Sequence, residues 1–479
     1  MNKALDTILE PPLVVDLDGT LLKTDLLQES FFLLIKKKPL YIFLVLFWLM
    51  KGRAYLKIQI ANRVEVDVAA LPYNLQLLKY LLEQKKLGRK IVLATGSEQR
   101  LAMAVADYLG VFHEVYGTTL GVNLKGFYKS TKLVRVFGDK KFDYAGDSTA
   151  DIAVWEKARK AILVNAPASL ERKAKEVSSL ETVFYNRKPF MKTFLKAIRI
   201  HQWAKNLLIF APLGAAHQLA EPILLLQAIA AFFAFSFSAS CVYLINDLMD
   251  LNEDRVHREK HKRPLASGDF PISSALIAVP LLLLSSLLLC YFLPIEFVLV
   301  LLLYYVSTLT YTFYFKKIAL VDVMVLAGLY TIRLGAGGAA VGIEPSYWLL
   351  TFALFIFLSL AMVKRYAELS GLREEGKCLV PGRGYRVEDI AILSSLGTAS
   401  GYVAVLVLAL YINGETAELL YATPQLIWLQ CPIMLLWISR IWLKAHRGEM
   451  LEDPVIFAIK DRVSQLTVLL MALVVFAAA

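Results

Sequence analysis

Between Ile223 and Ile245 the chain runs for 23 residues without one charged side chain. A bilayer core needs about 20 apolar residues per helix, so this run predicts a helix that crosses a membrane. Similar stretches recur near 204–220, 272–291, 296–314, 318–341, 346–363, 390–411, 420–439 and 463–479. With 223–245 they predict nine spans in an all-α multi-pass membrane domain. Composition agrees, with 57% of the 479 residues hydrophobic. The N-terminus, MNKALDTILEPPLVVDLDGT, lacks the basic-then-apolar order of a signal peptide.

The net charge of +11 is unevenly placed. Arg255, Arg258, Lys260, Lys262, Arg263, Lys316, Lys317, Lys364, Arg365, Arg373, Lys377, Arg383, Arg386, Arg440, Lys444, Arg447, Lys460 and Arg462 all fall in alternate inter-span segments. The intervening loops, 214–222, 292–295, 342–345 and 412–419, carry no Lys or Arg. The positive-inside rule makes the basic side cytoplasmic. This charge serves topology, and no nucleic-acid partner is expected. Cys241, Cys290, Cys378 and Cys431 show no close pairing and read as structural.

Residues 1–185 follow another pattern. LVVDL (13–17), KIVLATG (90–96), FDYAGD (142–147) and AILVN (161–165) alternate with helical stretches, predicting a Rossmann-like α/β domain with a parallel sheet. Ligands bind such sheets at the carboxyl ends of the strands. Those ends carry Asp16-Leu17-Asp18-Gly19-Thr20, Thr95-Gly96-Ser97, and Gly146-Asp147-Ser148 with Asp151 one turn on.

In order and type these motifs resemble the haloacid dehalogenase superfamily over roughly residues 12–165. The resemblance implies that Asp16 attacks phosphorus. Asp18 would protonate the leaving oxygen and then activate water. Asp16, Asp147 and the Asp18 backbone would hold magnesium. Thr95 and a lysine would hold phosphoryl oxygens; of Lys125, Lys129 and Lys132, Lys129 fits the spacing best. A degenerate domain kept as a cytoplasmic scaffold is the alternative to an active phosphatase. The apolar stretch PLYIFLVLFWLM (39–50) is flanked by Lys36, Lys37, Lys38, Lys51 and Arg53 and is short for a span. It reads as a helix on the membrane surface or as core packing. Residues 186–198 are a basic juxtamembrane linker.

After the 223–245 run comes NDLMDLNEDRVHREKHKRPLASG (246–268). If the preceding helix continues, Asp247, Asp250 and Asp254 lie on one stripe with Asn246. Bases satisfy the positive-inside rule, but acids do not. Three carboxylates on one stripe need a shared cation, and magnesium takes its other ligands from water and substrate phosphates. The stripe therefore predicts a magnesium–diphosphate site, with Lys260 and Arg263 on phosphate oxygens.

This segment, ending in RPLASG, resembles the first motif of the UbiA superfamily of membrane prenyltransferases; the resemblance covers about 197–479, and the transferase domain is expected over 199–479. Where those enzymes carry a second acidic motif, this chain has Lys364-Arg365-Tyr366-Ala367-Glu368-Leu369. One branch, the decaprenyl-phosphate phosphoribosyltransferases, looks similar at Arg199, Gln202, Trp203, Lys205 and Asn206. It also matches at Asp254, Arg255, His257, Lys260, Arg263 and Pro264, and at Tyr311, Lys316 and Asp322. That resemblance implies phosphoribosyl pyrophosphate as donor and a polyprenyl phosphate as acceptor. Lys205, Tyr311, Lys316, Lys364 and Arg365 would then bind substrate.

Lys205 beside Trp203 also reads as an interfacial anchor, and Lys316 and Lys317 as topology charges. Arg333 reads as a cavity-lining contact or a lipid-phosphate ligand. The loop 373–386 reads as solvated or as closing over a phosphate. The expected protein sits in the inner membrane with both active sites cytoplasmic and with magnesium in both domains. Its fused phosphatase would remove the 5-phosphate of the transferase product, and homo-oligomerisation is open. A prenyltransferase using an allylic diphosphate and an aromatic or other acceptor is the rival. A transporter with a regulatory domain is disfavoured, because the ionisable groups lie at helix ends and not at the midplane.

Overall fold

The computed structural model describes residues 10–257, 259–374, 383–414, 421–450 and 453–478. Cys378, Arg258, Lys377 and the centre of the 373–386 loop lie outside the described residues. The chain divides into two compact units. One runs up to Ile198 and includes Leu244–Val279; the other comprises Arg199–Tyr243 and Pro280 onward.

The first unit is built on β1 (Leu13–Val15), β2 (Ile91–Glu98), β3 (Glu114–Thr118), β4 (Asp143–Gly146), β5 (Lys160–Val164) and β6 (Ser179–Phe184). All pairs are parallel, in the order β3-β2-β1-β4-β5-β6. β1 and β4 are neighbours although β2 and β3 intervene in sequence. Their carboxyl ends therefore form the switch point where such sheets bind ligands. Val15 pairs with Leu93 and Ala145, which sets the level from which the loops carrying Asp16, Thr95 and Asp147 leave. Side chains alternate across the sheet. Leu13, Val15, Ile91 and Leu93 enter one apolar layer, and Val14, Val92, Ala94 and Tyr144 enter the other.

The helices of this unit are α1 (Leu26–Lys37), α2 (Tyr41–Met50), α3 (Arg53–Ala61), α4 (Leu75–Lys86), α5 (Gln99–Leu109), α6 (Phe127–Phe137), α7 (Ile152–Trp155), α8 (Ala168–Val177) and α9 (Phe190–Ala197). The insertion α1–α3 has a small core of Leu34, Val45, Trp48, Leu56 and Ile60. Only Val45 and Trp48 of α2 are buried, while Phe43 is 69% and Met50 85% exposed. Core packing therefore does not account for this apolar helix.

Helix α10 (Pro222–Met249) ends where α11 (Leu251–Val256) begins. The expected continuous helix is broken at Asp250, whose φ of −97° and ψ of 17° leave the helical range. Hydrogen bonds from Asp250 N to Asn246 O and from Asp254 N to Asp250 O, each 2.9 Å, carry the four-residue spacing across the break.

Further helices are α12 (Ile272–Cys290), α13 (Ile295–Phe313), α14 (Val321–Val341), α15 (Tyr347–Glu374), α16 (Ile390–Ile412), α17 (Gln430–His446), α18 (Pro454–Lys460) and α19 (Arg462–Ala478). Among the described residues seven helices are long and apolar enough to cross a membrane. An eighth results if α18 and α19, bent by 80°, count as one span. The expected first span at 204–220 is instead a 3₁₀ helix over Ile200–Phe210 followed by the short helix Ala211–Ala215. Left-handed residues Arg199 and His217 bracket it, and Pro212 withholds an N–H. Within the second unit, glycines bring backbones close: a Cβ on Gly337 would lie 2.1 Å from Ile209 O. Cys241, Cys290 and Cys431 are buried, with free thiols.

Candidate active sites

At the end of β1, Asp16 accepts from Leu17 N at 2.8 Å and lies 2.9 Å from Lys129 Nζ. Lys129 rises from α6, 2% exposed, and also donates to the Tyr144 hydroxyl at 2.8 Å. That hydroxyl donates to Asp151 at 2.8 Å, and Asp151 in turn accepts from the backbone N–H groups of Asp147 and Ser148. Asp147, from the end of β4, accepts from the Thr20 hydroxyl at 3.1 Å. Gly19 has φ +78°, and a Cβ there would lie 2.3 Å from the Asp147 carboxylate. The tight loop thus admits glycine alone.

Asp18 accepts from Ser97 Oγ at 2.6 Å, Thr95 Oγ1 at 3.3 Å and Leu26 N at 2.9 Å. The five residues expected from sequence, Asp16, Asp18, Thr95, Lys129 and Asp147, therefore share one linked site. Sequence reasoning placed Thr20 in its motif without a role, and missed Tyr144 and Lys57. Lys57, from α3, donates to Gly96 O and to Asn123 Oδ1. Its place in an insertion of no fixed spacing gave no signal.

Oxygens of Asp16, Asp147 and Asp151 lie within 4.8 Å of one another. A set of hard carboxylate oxygens fits magnesium. Both oxygens of Asp151 are hydrogen-bonded and both of Asp16 are engaged, by Leu17 N and Lys129, while Asp147 accepts from Thr20 through one oxygen. Burial raises the Asp16 carboxyl against the pull of Lys129. Burial, with Asp25 nearby, pushes Asp18 up to about 7. Burial, with the Asp16 and Asp151 charges, pushes Asp147 up to about 7. For Lys129 burial alone would lower the pKa, but Asp16 and Asp151 outweigh it and raise it. A divalent cation relieves such crowding of carboxylates.

The acidic stripe carries its own counter-charge. Arg263 Nη1 lies 3.1 Å from Asp247 and 2.5 Å from Asp254, both nearly buried. Lys260 stands 3.9 Å from Asp254, and Asp250 is 3.9 Å from Lys36. Asn246 supplies its carbonyl to Asp250 N. The donors along the stripe are all oxygens, the set that suits magnesium.

In the second unit two clusters form. Lys205 Nζ and Lys364 Nζ lie 2.8 and 2.9 Å from the same oxygen of Asp453. Asp453 also caps α18 through Val455 N at 3.2 Å. The Asp453-Pro454 step is an N-cap signal readable in sequence, although its lysine partners are not. Beside Lys364 in sequence, Arg365 belongs to a different cluster. It is 1% exposed, donates to both oxygens of Asp322 at 2.5 and 3.1 Å, and pairs with Glu368. Tyr311 donates to Asp322 at 2.8 Å, and Arg383 pairs with Glu368 at 3.4 Å. Lys316 is half-buried in the turn after α13.

Arg333 donates to Asn206 Oδ1 at 2.9 Å and Tyr304 OH at 3.2 Å, and its guanidinium faces the Phe235, Tyr304 and Tyr330 rings. It is a buried structural contact. Tyr385 is 1% exposed and its hydroxyl accepts from Leu320 N, while its neighbours Gly384 and Arg386 are exposed.

Helices of membrane-spanning length, with ion pairs buried among them, define a multi-pass integral membrane protein whose chain also contains a parallel α/β sheet. The chain belongs to the UbiA prenyltransferase family, which residues 207–451 match. The uncharacterized protein y4nM of Sinorhizobium fredii is 34% identical over 455 residues, 95% of this chain and 88% of its own length. A decaprenyl-phosphate phosphoribosyltransferase of Mycolicibacterium smegmatis is 37% identical over 186 residues, 38% of this chain and 58% of the relative. A solved UbiA homolog from Archaeoglobus fulgidus, bound to GPP and Mg2+, is 17% identical with a TM-score of 0.45, over 59% of this chain and 99% of that one.

Proposed function

We propose that this transferase moves phosphoribose from phosphoribosyl pyrophosphate to a polyprenyl phosphate at the cytoplasmic face of an inner membrane, and that the α/β domain then removes the 5-phosphate. Two ammonium groups, Lys205 and Lys364, converge on the single carboxylate of Asp453. That excess positive charge carries the reading, because it suits a lipid phosphate better than a neutral aromatic acceptor. The likeness to decaprenyl-phosphate phosphoribosyltransferases points the same way.

Asp247, Asp250 and Asp254, with Asn246, would hold magnesium, and Lys260 and Arg263 would contact the departing pyrophosphate. Magnesium there would neutralise charge on the diphosphate. The acceptor phosphate, already anionic, attacks the anomeric carbon without a base. Tyr311, Lys316 and Arg365 line the substrate region, Arg365 acting while held by Asp322. In the phosphatase, Asp16 attacks phosphorus, and Lys129 and Thr95 bind phosphoryl oxygens. Asp18 gives its proton to the leaving oxygen, then takes one from the water that frees Asp16. Asp16, the Asp18 carbonyl and Asp147 would hold magnesium, which screens the phosphate charge from the attacking carboxylate.

The test is to supply the full chain with phosphoribosyl pyrophosphate and a polyprenyl phosphate, and in parallel with an allylic diphosphate. Wild type is expected to yield lipid-linked ribose, and Asp16→Asn to accumulate lipid-linked ribose 5-phosphate. Turnover of the allylic diphosphate alone would establish the prenyltransferase instead.

A further inference from the structure

The first unit contains an ion pair that neither proposed reaction uses. Glu29, in the first turn of α1, is 2% exposed. Its two oxygens receive the Arg255 guanidinium at 3.0 and 2.5 Å. The Thr24 hydroxyl donates to the same carboxylate at 2.6 Å. A bidentate pair of this kind fixes orientation as well as charge. Arg255 follows Asp254 directly, and its Nε donates to Ala266 O at 3.1 Å. One guanidinium thus joins α1 to both α11 and the chain just beyond Arg263, the residue that bridges Asp247 and Asp254.

Three more contacts extend this join. Lys36, in the last turn of α1, lies 2.6 Å from Glu253 and 3.9 Å from Asp250. Lys23 and Lys188 reach Asp269 at 3.3 and 2.6 Å. Gly268, at φ +71°, lies so close that a Cβ would be 2.6 Å from Lys23 Cβ. All these residues belong to the first unit.

We propose that α1 is a brace for the acidic stripe, with Glu29 as its positioning residue: by gripping Arg255 it sets the spacing of Asp247, Asp250 and Asp254 for a divalent cation. The α/β domain would then have a second role besides hydrolysis. The inference rests on the reading that the stripe serves diphosphate transfer. Like-charged side chains on a broken helix repel one another, and the grip on Arg255 adds to the Arg263 bridge and the backbone bonds that already span the break at Asp250. The opposite end of the brace is anchored where Leu26 N donates to Asp18.

The experiment uses the full chain in lipid nanodiscs and compares wild type, Glu29→Gln, and the exchanged pair Glu29→Arg with Arg255→Glu. In Glu29→Gln the magnesium concentration for half-maximal phosphoribose transfer should rise about tenfold, the usual effect of losing an outer-shell partner. The transfer kcat at saturating magnesium and the hydrolysis of p-nitrophenyl phosphate should not change, and the exchanged pair should recover most of the shift. An unchanged magnesium midpoint overturns the brace, as does a joint fall of both activities that the exchanged pair does not recover. If wild type transfers no phosphoribose, the transfer reading fails by itself and amide hydrogen exchange decides on the brace. Faster exchange in Glu29→Gln confined to 246–268 sustains it, and unaltered exchange there overturns it.

Discussion

Gly19 shows how closely the loop after β1 is fitted. The backbone turns through φ +78° and the missing Cβ leaves room for the Asp147 carboxylate. In Gly19→Ala either the carboxylate or the loop must shift by more than 1 Å. A displacement of that order at reacting groups costs about 100-fold in rate, and the left-handed backbone adds about 1–2 kcal/mol of strain. The kcat for p-nitrophenyl phosphate should therefore fall about 100-fold, while phosphoribose transfer persists. Equal loss of both activities would show that the residue serves folding rather than the loop. Metal removal bears on the same residues. Chelation should abolish both activities, because both acid sets offer oxygen donors alone.

At the scale of elements, α2 is the one whose sequence and exposure disagree most with life in water. Its apolar residues point outward around most of its circumference, and Lys51 stands over the Phe47 ring while Lys38 stands over Tyr41. An amphiphilic collar of this kind suits an anionic lipid surface. A bimane fluorophore on Phe47→Cys should be quenched by spin-labelled lipid in proteoliposomes; an unquenched probe would remove α2 from the membrane. Its neighbours also mark the limit of sequence reading. Asp16, Asp18, Thr95, Lys129 and Asp147 were legible because strand ends impose order and spacing on them. Lys57 and Glu29 were not, because an insertion obeys no shared register. The 204–220 stretch was misread since hydropathy does not register the left-handed turns at Arg199 and His217. Lys364-Arg365 looked like one basic pair, but adjacent residues on a helix point about 100° apart, and each found its own carboxylate. The span at 223–245 was the most legible of all, needing only length and the absence of charge.

On the scale of the whole molecule, the first unit is discontinuous: the chain leaves it at Ile198 and returns at Leu244. Expressing 1–198 and 199–479 as separate polypeptides should therefore give little transferase activity even when both accumulate, whereas two self-sufficient domains would retain it. Full activity of the separated pieces would contradict the discontinuous unit. The same discontinuity imposes an order in time. Glu29 emerges from the ribosome more than 200 residues before Arg255. At about 5–20 residues per second that is a wait of roughly 10–45 seconds. Throughout it the α/β sheet can form, but one carboxylate of its insertion has no guanidinium until the span-length helix α10 has been made. A nascent chain that stalls before residue 255 therefore carries its α/β sheet without this clasp, with the span-length helices from Ile272 onward still to be made.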